Sequence, residues 1–411
     1  MKKLVFRNGI YTVLRPLYYL CRVFGLASYS YVADRRNKRT TIDYGYLNYT
    51  FTVIWLFLFT VGLPVQILAI NNYDLGSQTL SIALMVYYIS SYTSSIVAVV
   101  WVSVIKRRMF LEIIENISEV DNKIRYTAQE ETYMNRNVMF NIISEIILLF
   151  ALQCIAIVYI IRQTASEKYY IYVIRTISNV PDICNILVLF QFFNLVFMMK
   201  QRYSHLKKRL TNWINATVTR PIYFNKENYR RRQYDRTVDH DNVTPVCVTS
   251  AGNIEGTLRQ TDIHLLRQIY SELYDITCLI NDTYGIPILV TMCWMLSGVL
   301  CSLYEGLINF KDVGLADAVY TITFSVLFFK VTFFCHTATN EARSSRTLVQ
   351  KLLLVGNCRN ENIEELKMFS IQLQVMKNEY TACGFFSLNL RFFASVVSVI
   401  ASYIIIMVQF K

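Results

Sequence analysis

Residues Leu47–Ile70 read LNYTFTVIWLFLFTVGLPVQILAI, with no charged side chain among them. A helix rises 1.5 Å per residue, so about 20 such residues cross the hydrocarbon of a bilayer. Six further stretches qualify by length and apolarity: Thr79–Val104, Val138–Ile161, Val173–Met199, Tyr284–Ile308, Asp317–Thr339 and Leu388–Phe410. Their polar residues are mostly Ser, Thr, Tyr, Asn and Gln, which helices in lipid satisfy by bonding to neighbours. The sequence therefore predicts an all-α membrane protein of seven spans.

Composition agrees. Hydrophobic residues make up 54% of the chain and charged residues 17%, with a mean hydropathy of +0.32. A soluble domain carries about 25% charged residues; the apolar excess here has to face lipid. The net charge of +12 would suggest nucleic acid in a soluble protein. Here the basic residues sit between apolar runs and no base-reading motif is present, so no nucleic-acid partner is expected and anionic lipid headgroups are. The ten cysteines form no CxxC pair and the four histidines are scattered. They predict neither a disulfide framework nor a metal site, and no cofactor is expected. No P-loop, nucleophile elbow or zinc-protease motif occurs, so no enzyme is expected. The apolar run near Tyr11–Ala27 is interrupted by Arg15, Pro16 and Arg22. No cleavable signal sequence is expected there, and the first span should direct insertion.

Orientation follows from the loops. Lys and Arg number nine before Leu47, six in 105–137, thirteen in 200–283 and six in 340–387. The opposite loops and the tail hold four in all. The basic side stays in the cytosol, which places the N-terminus inside and the C-terminus outside. Five Asn-x-Ser/Thr sequons, at Asn48, Asn116, Asn215, Asn242 and Asn281, all fall on that inner side. G-protein-coupled receptors also cross seven times, but with the N-terminus outside. The expected division is a cytosolic segment 1–46, spans one to four over 47–199, a cytosolic loop 200–283 with helical extensions, spans five and six over 284–339, a cytosolic helical segment 340–387, and a last span over 388–411.

Two inner loops carry helical periodicity. Leu258, Leu265, Ile269, Leu273, Ile276 and Ile280 form one stripe; Ile363, Leu366, Phe369, Leu373, Met376 and Tyr380 form another. Such stripes need a partner. They can pack within one subunit or form an oligomer interface, and the interface is the sharper expectation. Tyr223–Ser250, with its run Arg230-Arg231-Arg232, reads as a linker.

The last span ends Ser402-Tyr403-Ile404-Ile405-Ile406-Met407-Val408-Gln409-Phe410. This resembles the insect gustatory receptors, whose last span ends in Thr-Tyr, five apolar residues and Gln-Phe; Ser402 stands here for Thr. Cys335-His336-x-Ala338 followed by Glu341-Ala342-Arg343 also resembles the run after their sixth span. The resemblance covers the whole topology. It implies a multi-pass plasma-membrane protein that is a tastant-gated cation channel, a homotetramer with one central pore. The last span of each subunit would line that pore and the cytosolic helices would hold the tetramer. Odorant receptors share the plan, and the Gln-Phe ending favours the gustatory branch.

Within that frame Ile405 belongs to an apolar constriction that closes by excluding water, and Gln409 and Phe410 to the outer mouth. A ligand arriving from outside would meet the outer halves of spans two to six. The candidates there are Tyr88, Gln153, Asp182, Trp294, Tyr304, Glu305, Tyr320 and Thr321. Asp182 and Glu305 stand out because ionisable groups in a span face a cavity or a partner. Asp182 either meets a ligand or pairs with Arg175. Lys330, in the middle of span six, either snorkels or pairs with Glu145 of span three. A sugar, a polyol or a bitter compound would each suit such a surface. The alternatives are an odorant-receptor-type channel subunit and a secondary transporter. The transporter would show internal repeats and paired broken spans, and neither is found.

Overall fold

The computed structural model describes residues 8–34, 39–43, 49–72, 78–163, 179–218, 260–308, 315–355 and 360–409. It is almost entirely helical. Six helices are long and apolar enough to cross a membrane, and a shorter apolar helix covers Leu390–Ile406. Together they correspond to the seven expected spans. In chain order the long ones are α2 (Thr50–Asn72), α3 (Gln78–Val100), α5 (Ala128–Gln163), α6 (Val180–Val218), α7 (Gln260–Ile308) and α8 (Leu315–Val355); α10 (Leu390–Gln409) ends the chain. Around them stand α1 (Asn8–Val23), α4 (Met109–Ile124) and α9 (Asn360–Val375).

Four of the long helices, α5, α6, α7 and α8, outrun the expected spans on the basic side. Hydropathy marks only the part of a helix that needs lipid, whereas hydrogen bonding carries the helix on into water. α5 begins at a capping box before the apolar run: the Glu130 backbone N–H donates to Thr127 Oγ1 (3.3 Å) and the Thr127 N–H to Glu130 Oε2 (3.2 Å). α3 closes in a π-helical turn, Trp101–Ile105. The stripe Ile269–Ile280 is continuous with span five in α7.

Two helices went unseen in the sequence because neither spans. In α1 the face Val13, Leu14, Leu17, Tyr18 and Cys21 is buried, and Arg15 and Tyr19 stay outside. The residues that interrupt a span there form the polar face of an amphipathic helix. In α4, Leu111, Ile113, Ile114 and Ile117 are fully buried, and the helix stops at Arg125 in the left-handed conformation (φ 53°).

Contacts divide the chain into two units. The first holds residues 1–204, 269–343 and 376–411; the second holds 205–268 and 344–375. In the first, α6 is the axis: 89% of its apolar window is buried, against 17% for α2, which presents its surface to lipid. Ser30–Asp34 (β1) and Arg39–Asp43 (β2) pair antiparallel, with Ser30 opposite Asp43. Thr381–Ala382 (β3) and Phe386–Ser387 (β4) form a small hairpin before α10. In the sequence, Gly384 reads as a helix breaker between the stripe ending at Tyr380 and the last span. The hairpin needs more: Cys383 (φ 52°) and Gly384 (φ 77°) both turn left-handed at its tip. It docks on α7, where Asn281 Nδ2 donates to the Glu379 carbonyl (2.8 Å) and Asn281 Oδ1 accepts from the Thr381 N–H (3.1 Å). A side chain at Gly285 would lie 3.0 Å from the Cys383 backbone nitrogen, so glycine permits that docking. Asn281 also heads a sequon, and its amide nitrogen is already engaged.

In the second unit, Arg267 of α7 pairs with Glu365 of α9 (3.5 Å).

One expectation is corrected. Ile269, Leu273, Ile276 and Ile280, and likewise Leu366, Phe369 and Leu373, are buried within the single chain. These stripes pack inside the subunit and are not the oligomer face. α9 instead exposes Met368 (54%), Ile371 (57%) and Val375 (75%) along its other side. The segment read as a linker, 223–250, lies outside the described residues.

Candidate functional site: a carboxylate cleft in the helix bundle

Successive spans run antiparallel. The starts of α6 and α8 therefore share one end of the first unit with the ends of α5 and α7, opposite the long basic loops. Asp182 stands in the first turn of α6, not deep in the span as the apolar run starting at Val173 implied. Residues 173–178, and with them Arg175, lie outside the described residues. The Asp182 carboxylate accepts from Tyr87 and Ser91 of α3, with Tyr87 Oη at 2.5 Å from Oδ2 and Ser91 Oγ at 2.5 Å from Oδ1. Trp294 Nε1 of α7 donates to Oδ1 at 3.0 Å. Three donors on two helices thus hold one buried carboxylate, which satisfies a group that would otherwise be expensive here. The α3–α6 seam is closed by Asn185 Nδ2 donating to the Ser91 carbonyl (3.1 Å) and Ser95 Oγ to the Pro181 carbonyl (2.8 Å).

Aromatic rings extend from this point. Trp294 meets Phe324 edge to face, with centroids 5.1 Å apart; Phe324 also meets Tyr87 (6.2 Å) and lies parallel to Tyr320 (6.4 Å). Gln153, Asp182, Trp294, Tyr320, Thr323 and Phe324 surround a cleft of about 30 Å³. Drug-sized ligands occupy roughly 300–1,000 Å³; a ligand enters here only if side chains at the cleft move.

Four of the eight residues singled out in the sequence, Gln153, Asp182, Trp294 and Tyr320, converge on this cleft. Tyr88 is half-buried beside Tyr87 (5.2 Å between rings), Tyr304 is wholly buried, and Glu305 and Thr321 are half-buried; none of these four lines it. Tyr87, Ser91, Thr323 and Phe324 belong to the cluster and were not among the eight. Helical spacing held the signal: Ser91 follows Tyr87 by four residues, and Phe324 follows Tyr320 by four.

Gly298 sits behind the rings. A Cβ there would lie 2.7 Å from the Phe324 ring. Gly298→Ala is expected to push Phe324 against Trp294 and Tyr320 and to lower the melting temperature of the purified protein by several degrees. An unchanged melting temperature would show that Phe324 gives way without strain.

Lys330 has its partner. Its Nζ lies 2.6 Å from Glu145 Oε1, and Glu145 is 1% exposed. Asn141 Nδ2 (3.0 Å) and Asn194 Nδ2 (2.7 Å) also donate to that carboxylate. The ammonium faces the rings of Phe193, Phe190 and Phe334 at 5.1–5.8 Å, within cation–π range. The buried pair is found, and snorkelling is not. Of the three residues expected from the sequence to line a pore, Ile405 is 60% exposed and Gln409 is exposed; Phe410 lies outside the described residues.

Six long apolar helices and a shorter seventh among the described residues, five of them gathered around a hydrogen-bonded carboxylate and an aromatic cleft, define a multi-pass helical membrane protein. The family model for the 7tm chemosensory receptors matches residues 14–411. The chain belongs to that family. Among solved structures it is similar to the insect olfactory receptor OR5 from Machilis hrabei in complex with eugenol, with a TM-score of 0.68 and 12% identity over 98% of this chain and 99% of that one. The same receptor in a second structure, OR5 from Machilis hrabei, gives 0.66 and 11% over 97% and 98%. At such identities the likeness shows the shared fold. No curated protein sequence matches the chain.

Proposed function

We propose that this chemosensory receptor is a gustatory receptor of the plasma membrane: a tastant-gated, non-selective cation channel in which four copies surround one pore. The observation that carries the ligand reading is the Asp182 cleft, with a carboxylate, an amide, an indole and a phenol gathered at the end of the bundle away from the basic loops. By the charge bias of those loops the cleft faces outside. A carboxylate beside aromatic rings binds hydroxyl-rich molecules by accepting their hydrogen bonds while the rings cover apolar faces. A sugar, a polyol or a bitter compound fits that description. Tyr88, Tyr304, Glu305 and Thr321 then act, if at all, from behind the cleft or from another conformation.

The pore reading rests on α10. Its apolar side chains Val397, Val399, Tyr403, Ile405 and Ile406 remain exposed in the single chain, and its end carries the Tyr403-to-Gln409 spacing of the gustatory motif. Around a fourfold axis, Ile405 would form a ring that dewets when closed, with Gln409 and Phe410 at the mouth. The exposed Met368, Ile371 and Val375 of α9 would hold the tetramer. Met368→Asp with Ile371→Asp is expected to reduce the tetramer in mild detergent several-fold at unchanged monomer stability. An unaltered native mass would remove α9 from the interface.

The test is current recording from cells expressing this chain alone, against sugars, polyols, bitter compounds and volatile phenols. Ligand-evoked cation current is expected. A protein present at the surface and silent to every class would overturn the reading. Gln409→Glu should shift the reversal potential toward that of calcium in mixed sodium and calcium, because a ring of carboxylates attracts the divalent ion more strongly. An unmoved reversal potential in a conducting variant would place the pore elsewhere. A second reading, an odorant-receptor-type subunit, is favoured by the olfactory receptor structures that share the fold; activation by the volatile phenols alone would select it.

A further inference from the structure

A second, larger hollow of about 270 Å³ opens at the other end of the first unit, among α1, α4, α5 and α6. Its floor is an ion pair. Arg202 of α6 is 3% exposed and holds Asp121 of α4 through both carboxylate oxygens, at 2.9 Å and 2.5 Å. That pair is closed and neutral. Two more charged side chains stand at the hollow, Arg125 at the end of α4 and Glu131 near the start of α5. Both side chains are exposed, and among the described residues neither side chain forms a hydrogen bond or ion pair. The same lining holds an open acceptor: Gln201 Oε1 is buried without a hydrogen-bond partner among the described residues, while Gln201 Nε2 leans on the Met134 carbonyl (3.5 Å). A buried acceptor left open calls for a donor.

The remaining lining mixes polar Ser118, Asn122, Tyr126 and Asn135 with apolar side chains. Ile10 and Val13 of α1 and Val138 of α5 face the same space. The hollow also has a defined depth. Val138 and Met198 lie where the apolar runs of spans three and four give way to the basic loops, at the level of lipid headgroups. Among the described residues the hollow thus holds an unpaired cation, an unpaired anion and a buried open acceptor, beside the apolar side chains of α1 and α5 at the membrane surface.

We propose that this hollow binds a zwitterionic aminophospholipid headgroup, with its ammonium on Gln201 Oε1 and Glu131 and its phosphate on Arg125. The ammonium N–H groups supply the donor that Gln201 lacks. A trimethylammonium headgroup carries the same charge but has no N–H to give. An anionic glycerol headgroup satisfies Arg125 and leaves Glu131 facing a like charge. Ile10 and Val13 cover the glycerol and the first acyl carbons. α1 is thereby tied to α4 and α6 through the lipid, which goes beyond ligand gating at the Asp182 cleft and does not depend on it.

The test is native mass spectrometry of the purified full-length protein in mild detergent with phosphatidylethanolamine, phosphatidylcholine or phosphatidylglycerol of identical chains. Phosphatidylethanolamine is expected to be retained at least fivefold over the other two. Arg125→Asn and Glu131→Gln should each lower its retention severalfold; asparagine is chosen at 125 because it tolerates the left-handed backbone there. Gln201→Leu should abolish the preference for phosphatidylethanolamine over phosphatidylcholine. Soluble phosphoethanolamine at millimolar concentration should leave the lipid in place. Equal retention of the three lipids would overturn the proposal, as would unchanged retention in both Arg125→Asn and Glu131→Gln. Displacement by phosphoethanolamine would overturn the lipid as the source, leaving a soluble zwitterion. Mass retention is read without channel current, so this result stands apart from the outcome of the tastant recordings.

Discussion

Glu145→Leu is expected to remove most folded protein from the membrane, and adding Lys330→Met should return it. The single change leaves an ammonium among phenylalanine rings with no counter-charge. Breaking a buried ion pair from one side costs about 3–5 kcal/mol, whereas replacing both partners with apolar groups is often neutral. The asparagines do not share that loss. Asn194 Nδ2 keeps the Phe190 carbonyl (2.8 Å), and Asn141 Nδ2 keeps Asn194 Oδ1 (3.0 Å). The measurement is monodisperse protein recovered from membranes, with melting temperature for each variant. If the single and the double variants behave alike, Lys330 does not depend on Glu145.

Asp182 gives the second large effect, and two substitutions separate its roles. Asp182→Ala leaves the Tyr87 hydroxyl, the Ser91 hydroxyl and the Trp294 indole N–H without their acceptor. Each orphaned donor costs about 1–3 kcal/mol, so surface expression should fall steeply. Asp182→Asn keeps the shape and one acceptor oxygen but removes the charge. That variant should reach the surface, open with unaltered ion selectivity, and need roughly tenfold more agonist, which corresponds to about 1.4 kcal/mol of lost binding. Surface labelling, dose-response and reversal potential together read the three quantities. A normal dose-response curve for Asp182→Asn would make the carboxylate a purely structural staple between α3, α6 and α7.

The contrast between these two acids shows what was readable beforehand. Both could be found as ionisable residues inside apolar runs, because lipid makes such positions expensive whatever the fold. The partner of Lys330 could be named as Glu145 from depth alone: on antiparallel spans, residues equally far from the basic loops share a level. The partners of Asp182 could not. Ser91 and Trp294 are unremarkable in a span, and only the rotation of α3 and α7 about their axes aims both at the same carboxylate.

The amphipathic stripes make the same point from the opposite side. Periodicity showed that Leu273, Ile276, Phe369 and Leu373 need covering, and it could not say by what. Cover from the same chain and cover from a second copy leave identical patterns in sequence. Here the chain supplies the cover for these stripes, and α9 leaves Met368, Ile371 and Val375 exposed on its opposite side.

From the sequence alone come the class, the number of spans and the charge bias between the two sets of loops, because these depend on one-dimensional quantities: apolar length against bilayer thickness, and the count of Lys and Arg per loop. The tertiary structure alone decided which short helices pack by one amphipathic face, that a hairpin turned at Cys383 and Gly384 leads into α10, and which four of eight candidate side chains meet at one cleft. Those outcomes depend on helix rotation and close backbone approach, and residues far apart in the chain fix both only when they pack.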